Sequence, residues 1–134
     1  MAGSALRFHH LHLRSHHPAA LAEYLVAMLG GTAQPWRSAA AAGIDVRLGG
    51  IDIYISTATP AAGPAPPSPH LGLDHFGLAV PALDPLLADL RAKGADITSG
   101  PTTVTEGVRI AFLRGPDELC IELIEDLRPQ GSPT

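Results

Sequence analysis

The sequence predicts an α+β protein made of two β-α-β-β-β modules. Three observations indicate this fold class. Short segments in which apolar and polar residues alternate flank segments that carry apolar residues at helical spacing. A proline-rich stretch divides the chain into halves of similar size, and the same order of elements occurs in both halves. A chain of 134 residues has the length of one compact unit, here built from two related parts.

The first half is predicted to hold a strand, a helix and a hairpin. Residues 6–14 alternate with a period of two, which is typical of a strand. Residues 18–29 begin with proline, carry an apolar stripe at helical spacing and precede two glycines, which predicts a helix. Two strands, residues 43–48 and 51–56, flank a Gly-Gly pair typical of a two-residue hairpin turn.

The second half repeats this order. Residues 74–80 alternate like the first strand, and residues 81–94 carry four leucines at helical spacing and end on a glycine. Three more strands are predicted over residues 96–98, 108–114 and 119–125. In the last of these, apolar residues occupy one face, while a cysteine and a glutamate share the other.

An eleven-residue stretch, Thr59–Pro69, separates the halves, and five of its residues are proline. Because proline removes amide donors and fixes φ, this stretch is predicted to be an extended linker. The first module is therefore expected to span residues 1–58 and the second residues 70–128. Residues 129–134 are expected to form a frayed tail.

The chain has seven histidines, and five of them are crowded near the N-terminus. Only His10 is singled out by the repeat, because it shares a His-x-x-Leu pattern with His75, 65 residues later. Three others, His9, His16 and His17, are expected at the surface or in the turn between strand and helix.

The strand faces that point away from the helices are predicted to collect polar side chains. By the alternation of the strands, these faces carry His10, His12, Tyr54, His75, Cys120 and Glu122. Two histidines at equivalent points of a repeat, with a glutamate on the final strand, suit Fe, Mn, Ni, Zn or Co and leave coordination positions open. We therefore expect a curved mixed sheet around a metal-binding cup, with His10, His75 and Glu122 as ligands of a divalent metal ion.

The composition argues against several classes of partner. A net charge of −4 and a pI of about 5.9 give no basic surface for nucleic acid. The sequence shows no signal peptide and no run of about 18 apolar residues, so no membrane partner is predicted. The single cysteine cannot form an internal disulfide. We expect a cytoplasmic protein whose partner is a small-molecule substrate.

Three stretches of the chain resemble the vicinal oxygen chelate superfamily, which includes glyoxalase I, bleomycin-resistance proteins and extradiol dioxygenases. They are HHLHLRSHHPAALAEYLVAMLGG, LDHFGLAVPALDPLLADLRAKGADI and IAFLRGPDELCIELIE, and they span nearly the whole chain outside the linker. The family pattern has a histidine at the start of each module's first strand and an acid in a last strand. On this pattern His10 and His75 are the paired histidines, and Glu122 is the acid.

The resemblance implies a glyoxalase-like metalloenzyme that acts on a small oxygen-chelating substrate by lyase, isomerase or dioxygenase chemistry. It also implies a homodimer. Many glyoxalase I enzymes have a fourth ligand, a Glu or Gln, on the last strand of the first module. Here Tyr54 lies at that place, and Asp52 would serve only if the register slips by two. Tyr54 is a candidate hydroxyl donor to substrate, and His12 and Glu122 are candidates to move protons.

Two other functions stay open at this point. One is an extradiol-type Fe(II) dioxygenase, whose open metal positions bind a catechol-like substrate and O₂. The other is a metal-free binding protein like the bleomycin-resistance proteins, which typically lack the set of two histidines and one glutamate. Cys120 is interpreted as a buried structural thiol, and Arg109 either forms a structural salt bridge or binds an anionic substrate.

Overall fold

The structure, a computed structural model, describes residues 3–35 and 43–129. The chain divides into two compact units, Met1–Gly63 and Pro64–Thr134. The expected tail lies outside the described residues from residue 130 onward.

The first unit contains one helix and four strands. In chain order these are β1 (His10–Ser15), α1 (Pro18–Leu29), β2 (Thr32–Pro35), β3 (Gly43–Leu48) and β4 (Ile51–Thr57). The second unit repeats the pattern with β5 (Phe76–Ala79), α2 (Leu83–Ala92), β6 (Asp96–Thr105), β7 (Val108–Arg114) and β8 (Cys120–Asp126). A short turn, Pro116–Glu118, connects β7 to β8.

Each unit has its own four-stranded mixed sheet. The strand order is β1-β4-β3-β2 in the first sheet and β5-β8-β7-β6 in the second. In both sheets the first strand runs parallel to the last, while the other pairings are antiparallel. The predicted α+β class with two β-α-β-β-β modules is therefore confirmed.

One face of each sheet is covered by that unit's helix. In the first unit, Leu21 and Leu25 of α1 are buried together with Val46, Ile53 and Ile55 of the sheet. In the second unit, the apolar side chains at most 4% exposed are Leu83, Leu87, Leu90, Val108, Ala111, Leu113, Ile121 and Leu123. Burying a leucine or isoleucine of this kind contributes roughly 1.5–3 kcal/mol, so these alternating apolar positions fix which strand face remains for polar residues.

Helix α2 is attached to the sheet by polar contacts at its first turn. The buried Glu125 carboxylate accepts a hydrogen bond of 2.7 Å from the backbone N–H of Leu83. Arg109 donates two bonds of 2.9 Å to Asp84 and lies 3.9 Å from Glu125. Of the two roles left open for Arg109, the structure therefore shows the salt bridge.

Two edge strands, β2 and β6, differ from the prediction. β2 has four residues and ends on Pro35, a pattern too short to predict from the sequence. β6 continues to Thr105 through Gly100 and Pro101, where the sequence suggested a break. An edge strand tolerates a proline because one of its sides needs no hydrogen bonds, and register shifts within β6 accommodate the interruption.

The first strand begins at His10 rather than at the predicted residue 6. β1 pairs with β4 starting from His10 opposite Asp52, and β4 itself begins at Ile51. A residue such as Phe8 would lie opposite the hairpin turn, where β4 offers no backbone partner.

The turn before β8 holds two residues in the left-handed region. Asp117 has φ of 57° and Glu118 has φ of 60°, and they are the non-glycine residues with positive φ in the described ranges. This conformation costs roughly 1–2 kcal/mol for a residue with a Cβ atom.

Replacing Glu118 by glycine is therefore expected to stabilise the protein. Glu118→Gly removes the Cβ penalty and gives up only an exposed ion pair of 3.6 Å with Arg114. After the larger chain entropy of unfolded glycine is subtracted, the free energy of unfolding should rise by about 0.5–1 kcal/mol. Urea denaturation measures this, and Glu106→Gly, an exposed turn position without positive φ, should instead lower stability. Equal losses in both variants would contradict the strain assignment.

Candidate functional site

The parallel pairing of β5 with β8 brings together the polar side chains of the second unit. Phe76 lies opposite Ile121 and Gly77 opposite Glu122. His75, one residue before the strand, therefore lies beside Cys120. Because side chains alternate, His75, Cys120 and Glu122 share the face that α2 does not cover.

The imidazole of His75 lies between two carboxylates. Its Nε2 is 2.8 Å from Oε2 of Glu122, and its Nδ1 is 2.7 Å from Oδ2 of Asp74. The edge of the ring meets Phe112, with 5.0 Å between ring centroids and an angle of 90°. The side chains of His75 and Glu122 are 29% and 19% exposed, so the pair is half-buried but open to solvent.

These contacts favour the protonated imidazole. The hydrogen bond to Asp74, followed by that to Glu122 and the charges of both carboxylates, raises the pKa of His75 above its ordinary value, although partial burial opposes this. The same hydrogen bond lowers the pKa of Asp74. With the proton absent, Nε2 and Glu122 present a nitrogen and an oxygen donor to one point, while Asp74 holds the ring from the other side.

Cys120 adds a sulfur to this group. Three donor atoms lie within 4.8 Å of one another, one each from Asp74, His75 and Cys120. Burial raises the pKa of the Cys120 thiol, opposed by the nearby charge of Arg114. The thiol is therefore not an activated nucleophile in the protein without metal.

The first unit places aromatic and imidazole groups in the equivalent positions. His10 lies opposite Asp52, and Tyr54 is two residues farther along β4. The rings of His10 and Tyr54 stack, with centroids 4.4 Å apart and an angle of 22°. Nδ1 of His10 is also 2.9 Å from Nδ1 of His9, which is exposed as expected.

Tyr54 and Glu122 therefore occupy equivalent positions relative to the histidine of their unit. Each lies two residues beyond the strand position beside its histidine. Asp52, at the position of Cys120, is buried and forms an ion pair of 3.3 Å with Arg47. The register therefore has no slip, and Tyr54 rather than Asp52 occupies the position equivalent to Glu122.

His12 forms a separate pair with Ser56. A hydrogen bond of 2.7 Å joins Nε2 of His12 to Oγ of Ser56. Burial, together with the positive charges of Arg14 and His10, lowers the pKa of His12. A neutral imidazole at neutral pH is able to accept a proton.

Comparison with known proteins identifies the family to which this fold belongs. The model of the Glyoxalase/Bleomycin resistance protein/Dioxygenase superfamily matches residues 7–123. The chain belongs to this superfamily. A search of curated proteins finds no significant match to the chain.

Several solved structures have the fold of this superfamily member. SMU.1112c is 23% identical with a TM-score of 0.72, and the match covers 91% of this chain and 100% of that one. A glyoxalase family protein from Enterococcus faecalis is 23% identical with a TM-score of 0.70, covering 89% and 97% of the two chains. TioX from Micromonospora sp. ML1 is 19% identical with a TM-score of 0.65, covering 90% and 99%. At these identities the likeness shows the fold alone.

The site residues predicted from the sequence fall into two groups in this superfamily member. The structure brings Glu122 to His75 in the second unit, and it brings Tyr54 to His10 in the first. Asp74 and Ser56, which complete the contacts of His75 and His12, were not predicted. In the described residues, neither helix is long and apolar enough to cross a lipid bilayer.

Replacing Asp74 tests the electrostatics of the site. In metal-free protein, Asp74→Asn is expected to lower the pKa of His75, because the amide cannot stabilise the imidazolium as the carboxylate does. An NMR titration of the His75 ring protons measures this midpoint. Asp89→Asn, which removes a carboxylate paired with Lys93 on α2, is the control and should leave His75 unchanged.

The raised pKa of His75 also determines how the stability of the protein depends on pH. The His75 contacts contribute to stability in full below the ordinary pKa of histidine, and this contribution is lost as the pH rises through the raised value. An unchanged His75 midpoint in Asp74→Asn would contradict the assignment.

Proposed function

We propose that this superfamily member is a metal-dependent enzyme that acts on a small substrate with two adjacent oxygen atoms. A divalent metal ion, of the Fe, Mn, Ni, Zn or Co type, would be held by His10, His75 and Glu122. The observation that supports this most directly is the convergence of His75 Nε2 and Glu122 Oε2 at 2.8 Å on an open sheet face.

The residues of this face fit a metal by their donor chemistry. Imidazole nitrogen with carboxylate oxygen is a common donor set for these ions. Metal-bound histidines typically donate their second ring N–H to a carboxylate, and Asp74 accepts such a bond from Nδ1 of His75. When bound, the metal would supply a Lewis acid that holds the substrate oxygens and stabilises negative charge on them.

The chain's own groups would position and move protons. Asp74 fixes the ring plane of His75, and the Tyr54 ring packs against His10. His12 is proposed as a general base, since its pKa is lowered and Ser56 fixes its ring orientation. The Tyr54 hydroxyl is proposed as a donor to substrate, and Glu122 as a group that exchanges a proton with it.

A metal-free binding protein is the second candidate. The observation that favours it is that Glu122 and Asp74 already satisfy both nitrogens of His75. On this interpretation the site would sequester a planar ligand beside Phe112, which packs on His75.

Metal analysis of untagged protein separates these functions. We expect near-stoichiometric bound metal by plasma mass spectrometry. Affinity measured by calorimetry should fall at least tenfold in His75→Ala and Glu122→Gln, because each removes a ligand atom. His17→Ala, an exposed histidine of the N-terminal group, is the control and should bind normally. Substoichiometric metal that is unchanged in His75→Ala would favour the binding protein.

The reaction type is tested with the loaded protein. An extradiol-type dioxygenase reconstituted with Fe(II) should consume O₂ with members of a catechol panel. Lyase or isomerase chemistry requires no O₂ consumption.

The cytoplasmic location expected from the sequence stays a prediction.

The homodimer is also a proposal, supported by apolar side chains before the first strand of each unit. Leu6 and Phe8 are 86% and 66% exposed, and Leu71 and Leu73, at equivalent repeat positions, are 99% and 69% exposed. We propose that a second copy of the chain covers them.

Sedimentation velocity tests this proposal. The double variant Leu71→Ser, Leu73→Ser should shift the protein from dimer toward monomer, since it removes apolar area from the interface. Val104→Ser, at another exposed apolar position, should leave the dimer intact. A monomeric wild-type protein across the concentration range would contradict the proposal.

A further inference from the structure

We propose that Asp74, His75 and Cys120 form a second metal-binding arrangement, confined to the second unit, that takes a thiophilic divalent ion such as Zn²⁺. This site goes beyond the proposed function, because it needs neither His10 nor any residue of the first unit. It shares His75 with the proposed ligand set and differs in its other donors.

The positions of the three side chains support the site. His75 and Cys120 directly precede Phe76 and Ile121, which are partners in the parallel pairing, so the imidazole and the sulfur share one face. Asp74 lies 2.7 Å from the ring through its Oδ2. The three donor atoms lie within 4.8 Å of one another. Donors on a tetrahedral zinc ion are about 3.5 Å apart. The longest separation in the group therefore has to shorten by at most about 1.3 Å, while the 2.7 Å contact between Asp74 and His75 has to lengthen by about 0.8 Å.

The exposed position of Asp74 makes this adjustment feasible. Asp74 is exposed and lies before β5 begins, so no strand pairing fixes its backbone. Cys120 and His75 are half-buried and hold the other two donors in place. A fourth position remains for water or for a ligand from solution.

The donor set selects the type of metal. A thiolate favours zinc and other thiophilic ions over Mg²⁺, Ca²⁺ or Mn²⁺, which prefer oxygen. Binding releases the thiol proton of Cys120 to solvent, together with the second ring proton of His75 when the imidazole starts in its protonated form. Once these protons have left, the carboxylates of Asp74 and Glu122 and the thiolate carry three negative charges here, against one positive charge on Arg114, which lies opposite Cys120. A dication is therefore attracted to this face.

Cobalt substitution in the full chain tests the site. Titration with Co²⁺ alone should produce a thiolate-to-cobalt charge-transfer band in the near ultraviolet. The band should disappear in Cys120→Ser. In Asp74→Asn, the Co²⁺ concentration needed to produce half of the band should rise at least tenfold. The band should persist in His10→Ala and in the triple variant His9→Ala, His16→Ala, His17→Ala, because histidines alone give no such band.

The same experiment separates this site from the proposed function. Metal binding that fails in His10→Ala and Glu122→Gln, stays normal in Cys120→Ser and gives no band in the unaltered chain supports the proposed ligand set and overturns the thiolate site. A band that survives His10→Ala supports the thiolate site even if the enzyme proposal fails.

A measurement on the unmodified chain guards against misfolding of the cysteine variant. Zn²⁺ should slow the reaction of Cys120 with a thiol reagent at least tenfold, and a chelator should restore the rate. His75→Ala should lose this protection. An unaltered rate in the presence of Zn²⁺, together with no cobalt band, would overturn the proposal.

Discussion

The parallel pairing of the first and last strands in each unit is the constraint on which the site depends. In the second unit, Phe76 opposite Ile121 sends both apolar side chains toward α2. The residues on either side of this pair must then face the other way, which brings His75 to Cys120 and Glu122. A shift of one residue would exchange the two faces and place leucines where the polar side chains now lie. The buried leucines of α2 therefore hold the site in register, although none of them touches it.

The same constraint in both units makes their differences informative. Equivalent positions around the repeated histidine carry Asp52 and Tyr54 in the first unit, and Cys120 and Glu122 in the second. The backbone is thus repeated while the donor chemistry is not. The first unit stacks an aromatic ring on its histidine, and the second surrounds its histidine with carboxylates and a thiol. We infer that the second unit contributes most of the charge needed to hold a cation.

Much of this arrangement is predictable from the sequence because it follows from a period of two. The repeat identifies His10 and His75, and the alternation of β8 puts Glu122 on the polar face. The contact of Asp74 with His75 is not predictable in this way. Adjacent residues of a strand point to opposite faces, but Asp74 precedes β5 and is free of that rule. The partner of Arg109 is not predictable from the sequence either, because Asp84 approaches it only when α2 packs on the sheet.

Both proposals require the His75 face to bind a metal ion. Anomalous diffraction from crystals of the untagged protein grown with Zn²⁺ tests this most directly. We expect a zinc peak about 2.0–2.1 Å from a ring nitrogen of His75, with further donors from the carboxylate or thiol groups beside it. Zinc bound only at the N-terminal histidines, with His75 still paired to Asp74 and Glu122, would contradict it.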